Sequence, residues 1–214
     1  MSELRSTAVS CDNCVVPRLL IVPGLNDSGP MHWQSWMQRR HRSSLRAAVT
    51  DWSRADLGRW SDDIAATLAA QPPGPWIAVA HSFGCLAVLR ALQRHPPARP
   101  GHAGVFAALL VAPASPQRHG SEALLRQRMG DVDLLVVSSS NDPWLPTDAA
   151  LPWAATWGAR LHDLGPAGHI NAEAGFGPWP WAQDRVVQMR QRWHARRHAE
   201  SEAAPKPTPY AHAA

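Results

Sequence analysis

The chain has 214 residues, 45% hydrophobic and 18% charged, which suits one domain with a sizeable core and excludes wholesale disorder. Its net charge of +4 sits in short basic runs such as Arg39-Arg40-His41-Arg42 and the stretch from Arg190 to Arg197. These are spaced as on helices and carry no aromatic RNA-binding signature, so solvated helical faces explain them and no nucleic-acid partner is expected. Met1 to Ser10 lack the apolar stretch of a signal peptide, and no apolar run approaches the roughly 18 residues of a membrane span. A cytoplasmic protein away from the membrane is the expectation, as a monomer or weak homodimer. Three cysteines are too few for a disulfide scaffold. Cys11 and Cys14 form a C-x-x-C, but in a polar arm with no strand before it and no second ligand pair near it, so the pair reads as incidental.

In chain order, residues 1–16 read as a flexible arm. Arg18 to Val22 is a continuous apolar run ended by Pro23-Gly24, as in a strand buried on both faces. Residues 31–41 place Trp33, Trp36 and Met37 on one helical side, and residues 45–50 suit a second strand. Leu57, Trp60, Ile64 and Leu68 repeat at helical spacing and stop before Pro72-Pro73-Gly74. Residues 76–80 predict a third strand, 83–94 a helix stopped by Pro96-Pro97, and 105–111 a fourth strand. Residues 133–138 predict a fifth strand, 147–157 a helix, 159–164 a weaker sixth strand, and 179–197 a final amphipathic helix. From His198 onward Ala, Pro and Lys predict a disordered tail over 198–214.

This alternation predicts an α/β domain over 17–197, a mostly parallel sheet of about six strands flanked by helices. On such a sheet ligands bind beyond the carboxyl ends of the strands, so chemistry-bearing residues belong just after strands. Ala80-His81-Ser82-Phe83-Gly84 meets that test, following a strand and opening a helix. A strained serine between strand and helix needs small flanking residues, and Ala80 and Gly84 supply them. The alternative for Ser82 is an ordinary N-cap serine. A serine hydroxyl needs a base. His81 is adjacent, but its side chain is expected to point away and pack beneath the turn, whereas His169 lies in the loop after the last strand, with Gly168 allowing the backbone to turn. Asp142, after the fifth strand, is the candidate to orient that imidazole; Asp148 falls in a helix and Asp163 at a strand edge. The order Ser82, Asp142, His169 is that of α/β-hydrolases.

An oxyanion needs two donors. The N–H of Phe83 at the helix start is one; the loop Pro23 to Gly29 supplies the other, assigned to Leu25 with Asn26 as rival. Gly24 permits close approach of substrate, and Gly24 and Asn26 are candidates to contact it. Trp33, Trp144 and Trp179 follow these loops and are candidates to wall the pocket, with packing beneath the loops as the alternative for each. No paired C-x-x-C supports a metal, and no cofactor is expected.

Val22-Pro23-Gly24 followed by His32-Trp33, together with 80–85, 139–143, 165–171 and Gly175-Phe176-Gly177-Pro178-Trp179, resembles the small serine hydrolase family typified by retinoblastoma-binding protein 9 and bacterial YdeN. The likeness spans about 17–195. It implies an α/β-hydrolase fold, a triad of Ser82, Asp142 and His169, and carboxylesterase-like activity on small acyl esters. Pro23 stands where a histidine often precedes the glycine of the oxyanion loop in the broader superfamily. About twenty residues separate the fourth strand from the fifth, which leaves no room for a cap domain and implies an open site. The competing class is a protein-interaction module on the same fold with little or no turnover.

Overall fold

The computed structural model describes residues 15–95 and 102–203. The Cys11/Cys14 pair, most of the N-terminal arm, Pro96-Pro97 and the tail beyond Ala203 lie outside the described residues. Twelve elements follow in the order β1 (Arg18–Val22), α1 (Trp33–Arg40), β2 (Ser44–Arg46), α2 (Leu57–Ala69), β3 (Gly74–His81), α3 (Phe83–Arg94), β4 (Ala103–Val111), α4 (Glu122–Leu125), β5 (Asp133–Ser138), α5 (Thr147–Trp157), β6 (Arg160–Asp163) and α6 (Pro180–Ala203). The six strands form one parallel sheet in the order β2-β1-β3-β4-β5-β6.

Both faces of this sheet are covered, and the strands show why. Successive side chains point to opposite faces, so Leu20 and Val22 of β1 join Ala78 and Ala80 of β3 under α2, α3 and α5. Leu19 and Ile21, with Ile77 and Val79, pack on Trp33 and Met37 of α1 and on Val186 and Met189 of α6. A strand buried on two faces must be apolar at every position, which is the continuous run seen in the sequence. Strand order reverses direction between β1 and β3. The crevice outside their carboxyl ends is the topological switch point, where such sheets bind ligands.

Among the boundaries that differ from the sequence expectation, three have a clear physical reason. β2 stops at Arg46 instead of continuing to 50, because α2 takes over the backbone donors: Thr67 Oγ1 accepts from Ala48 N–H (3.0 Å) and Asp63 from Thr50 N–H (2.8 Å). β3 begins at Gly74, two residues early. Pro75 lacks an N–H, and it is tolerated there because β1 pairs only from Trp76 onward. α6 continues to Ala203, past the expected end at 197. Ala, Glu and Arg are good helix formers, and His198 and Glu202 face each other one turn apart. Between β4 and β5 the four-residue α4 is the one helix, so no cap covers the sheet there.

Candidate active site

β3 delivers Ser82 to the end of the sheet with its backbone at φ 53°, in the left-handed region that L-residues avoid. The surroundings fix that conformation. Ser82 N–H donates to the Val111 carbonyl (3.1 Å), and its own carbonyl accepts from Ala114 and Cys85. The small residues around the turn are sterically required. A Cβ on Gly84 would lie 2.2 Å from the Pro23 carbonyl oxygen, and one on Gly24 would lie 2.8 Å from the Ser82 Cβ. Glycine at 24 and 84 therefore lets the β1 loop sit directly on the serine turn.

The loop after β6 brings His169 onto the serine. His169 Nε2 is 2.9 Å from Ser82 Oγ, and Nδ1 is 2.9 and 3.1 Å from the two oxygens of Asp142. An ionised carboxylate only accepts, so Nδ1 carries the ring proton; Nε2 is then the acceptor, and the serine hydroxyl donates to it. Asp142 has its side chain out of solvent, and Oδ1 also accepts the N–H of Trp144 (2.9 Å). The three residues expected from sequence thus form one continuous hydrogen-bonded chain. Asp148 lies in α5. Asp163 is engaged with Thr147 and the Gly165 N–H.

Two side chains that sequence reasoning did not single out lock the acid and base loops together. Asn141 Oδ1 accepts from Ser139 Oγ (2.8 Å) and from Gly168 N–H (2.7 Å), and Ser139 Oγ accepts from Ala167 N–H (2.9 Å). A third, Gln34, is fully buried on α1. Its amide donates to the carbonyls of Val22, at the end of β1, and of Val79, near the end of β3, and its oxygen accepts from Ser28 (2.7 Å). A polar residue on a helix face is ordinarily solvated, so only the tertiary contacts reveal this role.

Ser82 opens on a cleft of about 520 Å³ lined by Gly24, Leu25, Asn26, Phe83, Trp144 and His169, among others. Asn26 N–H is spent on the Trp52 carbonyl (2.8 Å) and Asp27 N–H on Gly24 (3.2 Å). That removes Asn26 as the rival backbone donor. Of the three tryptophans expected to wall the pocket, only Trp144 does, half-exposed with Arg118 over its ring. Trp33 and Trp179 are corrections: both are buried, packed edge to face at 5.3 Å, with the Trp33 indole N–H donated to the Ile170 carbonyl (2.9 Å). Each has a large apolar face, and Trp179 also packs against the ring of Phe176 at 5.0 Å. His81 is buried at the cleft, where its ring meets those of His32 and His169. Among the described residues no cluster of three or more His, Cys, Asp or Glu is placed to hold a metal ion. No helix among them is long and apolar enough to cross a membrane.

A doubly covered parallel sheet without a cap, carrying a serine on a strained strand-to-helix turn, defines an α/β-hydrolase. The chain belongs to the serine hydrolase family, which it matches over residues 19–188. Among solved structures it is similar to a YdeN-like hydrolase from Pectobacterium atrosepticum, at 37% identity and TM-score 0.74, over 82% of this chain and 91% of that one. The ydeN gene product from B. subtilis is 20% identical with TM-score 0.65, over 81% of this chain and 98% of its own. Carboxylesterase CesB from Bacillus subtilis shares the fold at 12% identity and TM-score 0.52, over 81% of this chain and 83% of the other. No curated protein sequence matches the chain.

Proposed function

We propose that the protein is a carboxylesterase-like serine hydrolase that cleaves small acyl esters through an acyl-enzyme intermediate. The observation that carries this reading is the unbroken chain from Ser82 Oγ through His169 to Asp142, with Oγ facing an open cleft. In the scheme His169 Nε2 takes the hydroxyl proton as Ser82 Oγ bonds to the ester carbonyl carbon. Asp142 stabilises the imidazolium that forms. Collapse of the tetrahedral intermediate breaks the bond to the alkoxy group, which leaves with the proton from His169. Water then attacks the acyl-enzyme with the same base, releasing the acid and restoring the hydroxyl.

The oxyanion falls to the N–H groups of Phe83 and Leu25. Phe83 is the first residue of α3, where helix N–H groups have no partner within the helix. Leu25 lies in the β1 loop at the cleft, and the N–H groups of Asn26 and Asp27 that follow it are engaged elsewhere. A cleft of about 520 Å³ without a lid favours short acyl chains, or an exposed ester on a larger molecule. A fluorophosphonate probe tests the reading. It is expected to label the wild type at Ser82, to fail on Ser82→Ala and to label His169→Ala weakly. Undiminished labelling of Ser82→Ala rejects the assignment.

A further inference from the structure

Acyl transfer as written makes no use of His81, although this imidazole is packed against the base. β3 ends on His81, whose ring lies edge-on to His32 at 4.9 Å and 4.8 Å from the imidazole of His169. Its Nε2 is 2.9 Å from the main-chain carbonyl oxygen of His169. A carbonyl only accepts, so Nε2 carries the proton and donates it. That carbonyl sits between two residues in left-handed backbone, Gly168 at φ 60° and Ile170 at φ 49°. Such a conformation persists where the surroundings over-determine it. Asn141 holds Gly168 and the Trp33 indole holds Ile170. At residue 169 itself, the holding group is His81.

The charge state follows from burial. Burial first, then the charges of His169 and His32, pushes His81 well below the usual imidazole range. His32 is lowered to about 4 by burial, Arg46 and His169, with Asp27 opposing. His81 is thus faced by His169 from the loop after β6 and by His32 from the start of α1, and both buried rings stay neutral at ordinary pH. Of the three packed imidazoles, only His169 touches a carboxylate.

Resting on the serine hydrolase reading, we propose that His81 is a positioning residue, whose neutral ring fixes the backbone of His169 through the Nε2–H donor and thereby aims the base at Ser82. The experiment compares His81→Phe, which keeps a ring but has no donor, with His81→Gln, whose amide N–H can still reach the carbonyl. Each is assayed on p-nitrophenyl butyrate from pH 5 to 9, with rates normalised to fluorophosphonate-titrated sites so that unfolded protein drops out. His81→Phe is expected to lower kcat per titrated site about tenfold to a hundredfold with KM within about twofold, because small misplacements of a reacting group cost that much. His81→Gln restores most of that loss. An unchanged kcat per site in His81→Phe, whatever its melting temperature, overturns the proposal and leaves the ring as packing. A wild type that is neither labelled nor active overturns the hydrolase reading instead, and this proposal with it.

Discussion

Gly84 separates steric necessity from propensity in one side chain. In a helix, glycine to alanine ordinarily stabilises by about 1 kcal/mol. At Gly84 the added Cβ would meet the Pro23 and Val22 carbonyl oxygens at 2.2 and 2.5 Å, and both atoms are backbone at the end of a central strand. Overpacking against a group that cannot move costs more than propensity returns. Gly84→Ala is therefore expected to lose more than about 3 kcal/mol by urea denaturation. Gly58→Ala in α2, whose nearest neighbour is a carboxylate oxygen at 3.6 Å, is the control and holds or gains stability. Individual residues are also where the sequence was least even as a guide. Ser82, Asp142 and His169 were legible because each must follow a strand, a rule that needs no tertiary knowledge. Trp33 and Trp179 were not, since a tryptophan near a site looks the same in sequence whether its ring faces substrate or packs beneath a loop.

The elements themselves were largely legible, because strands buried on two faces and amphipathic helices have different apolar periods. What sequence could not give is how the loops at their ends are tied. The loops after β5 and β6 are adjacent because their strands pair, Ser138 beside Asp163. Their cross-links run through Ser139 and Asn141, short polar side chains of the kind common in any turn. Asn141 tests whether these ties set geometry as well as stability. Asn141→Ala removes the acceptor of Gly168 N–H, one residue before the base, and releases Ser139 Oγ. A lost hydrogen bond of this kind lowers stability by about 1–2 kcal/mol. Misaiming His169 is expected to lower kcat by about tenfold to a hundredfold. KM should move little, because Asn141 does not line the cleft. Steady-state kinetics on a short p-nitrophenyl ester, beside a melting curve, separates the two effects. A loss of stability with full kcat would assign Asn141 to folding alone.

For the whole molecule, the site carries a cost in acid that its geometry makes calculable in direction. His32 caps α1, its Nδ1 accepting from Gln34 N–H at 3.2 Å, and it packs on His81 at the floor of the cleft. Burial, and then the charges of neighbouring groups, penalises the cationic form of both rings, so both fall below the ordinary imidazole value near 6.5. In the unfolded chain both titrate near that value. Above it neither state binds these protons, and stability does not depend on them. As pH falls below 6.5 the unfolded chain takes up protons that the fold refuses at both rings, so stability declines, for His32 until about 4. Each such proton contributes a slope of about 1.4 kcal/mol per pH unit. Urea denaturation between pH 6.5 and 4.5 should therefore show stability falling as the pH falls. His32→Asn keeps an N-cap oxygen for Gln34 but has no proton to gain, so its decline should be shallower than that of the wild type. A wild-type stability flat across this interval would mean that the rings are hydrated and free to charge, and the packing of the three imidazoles around the base would have to be looser than their 4.8 and 4.9 Å separations imply.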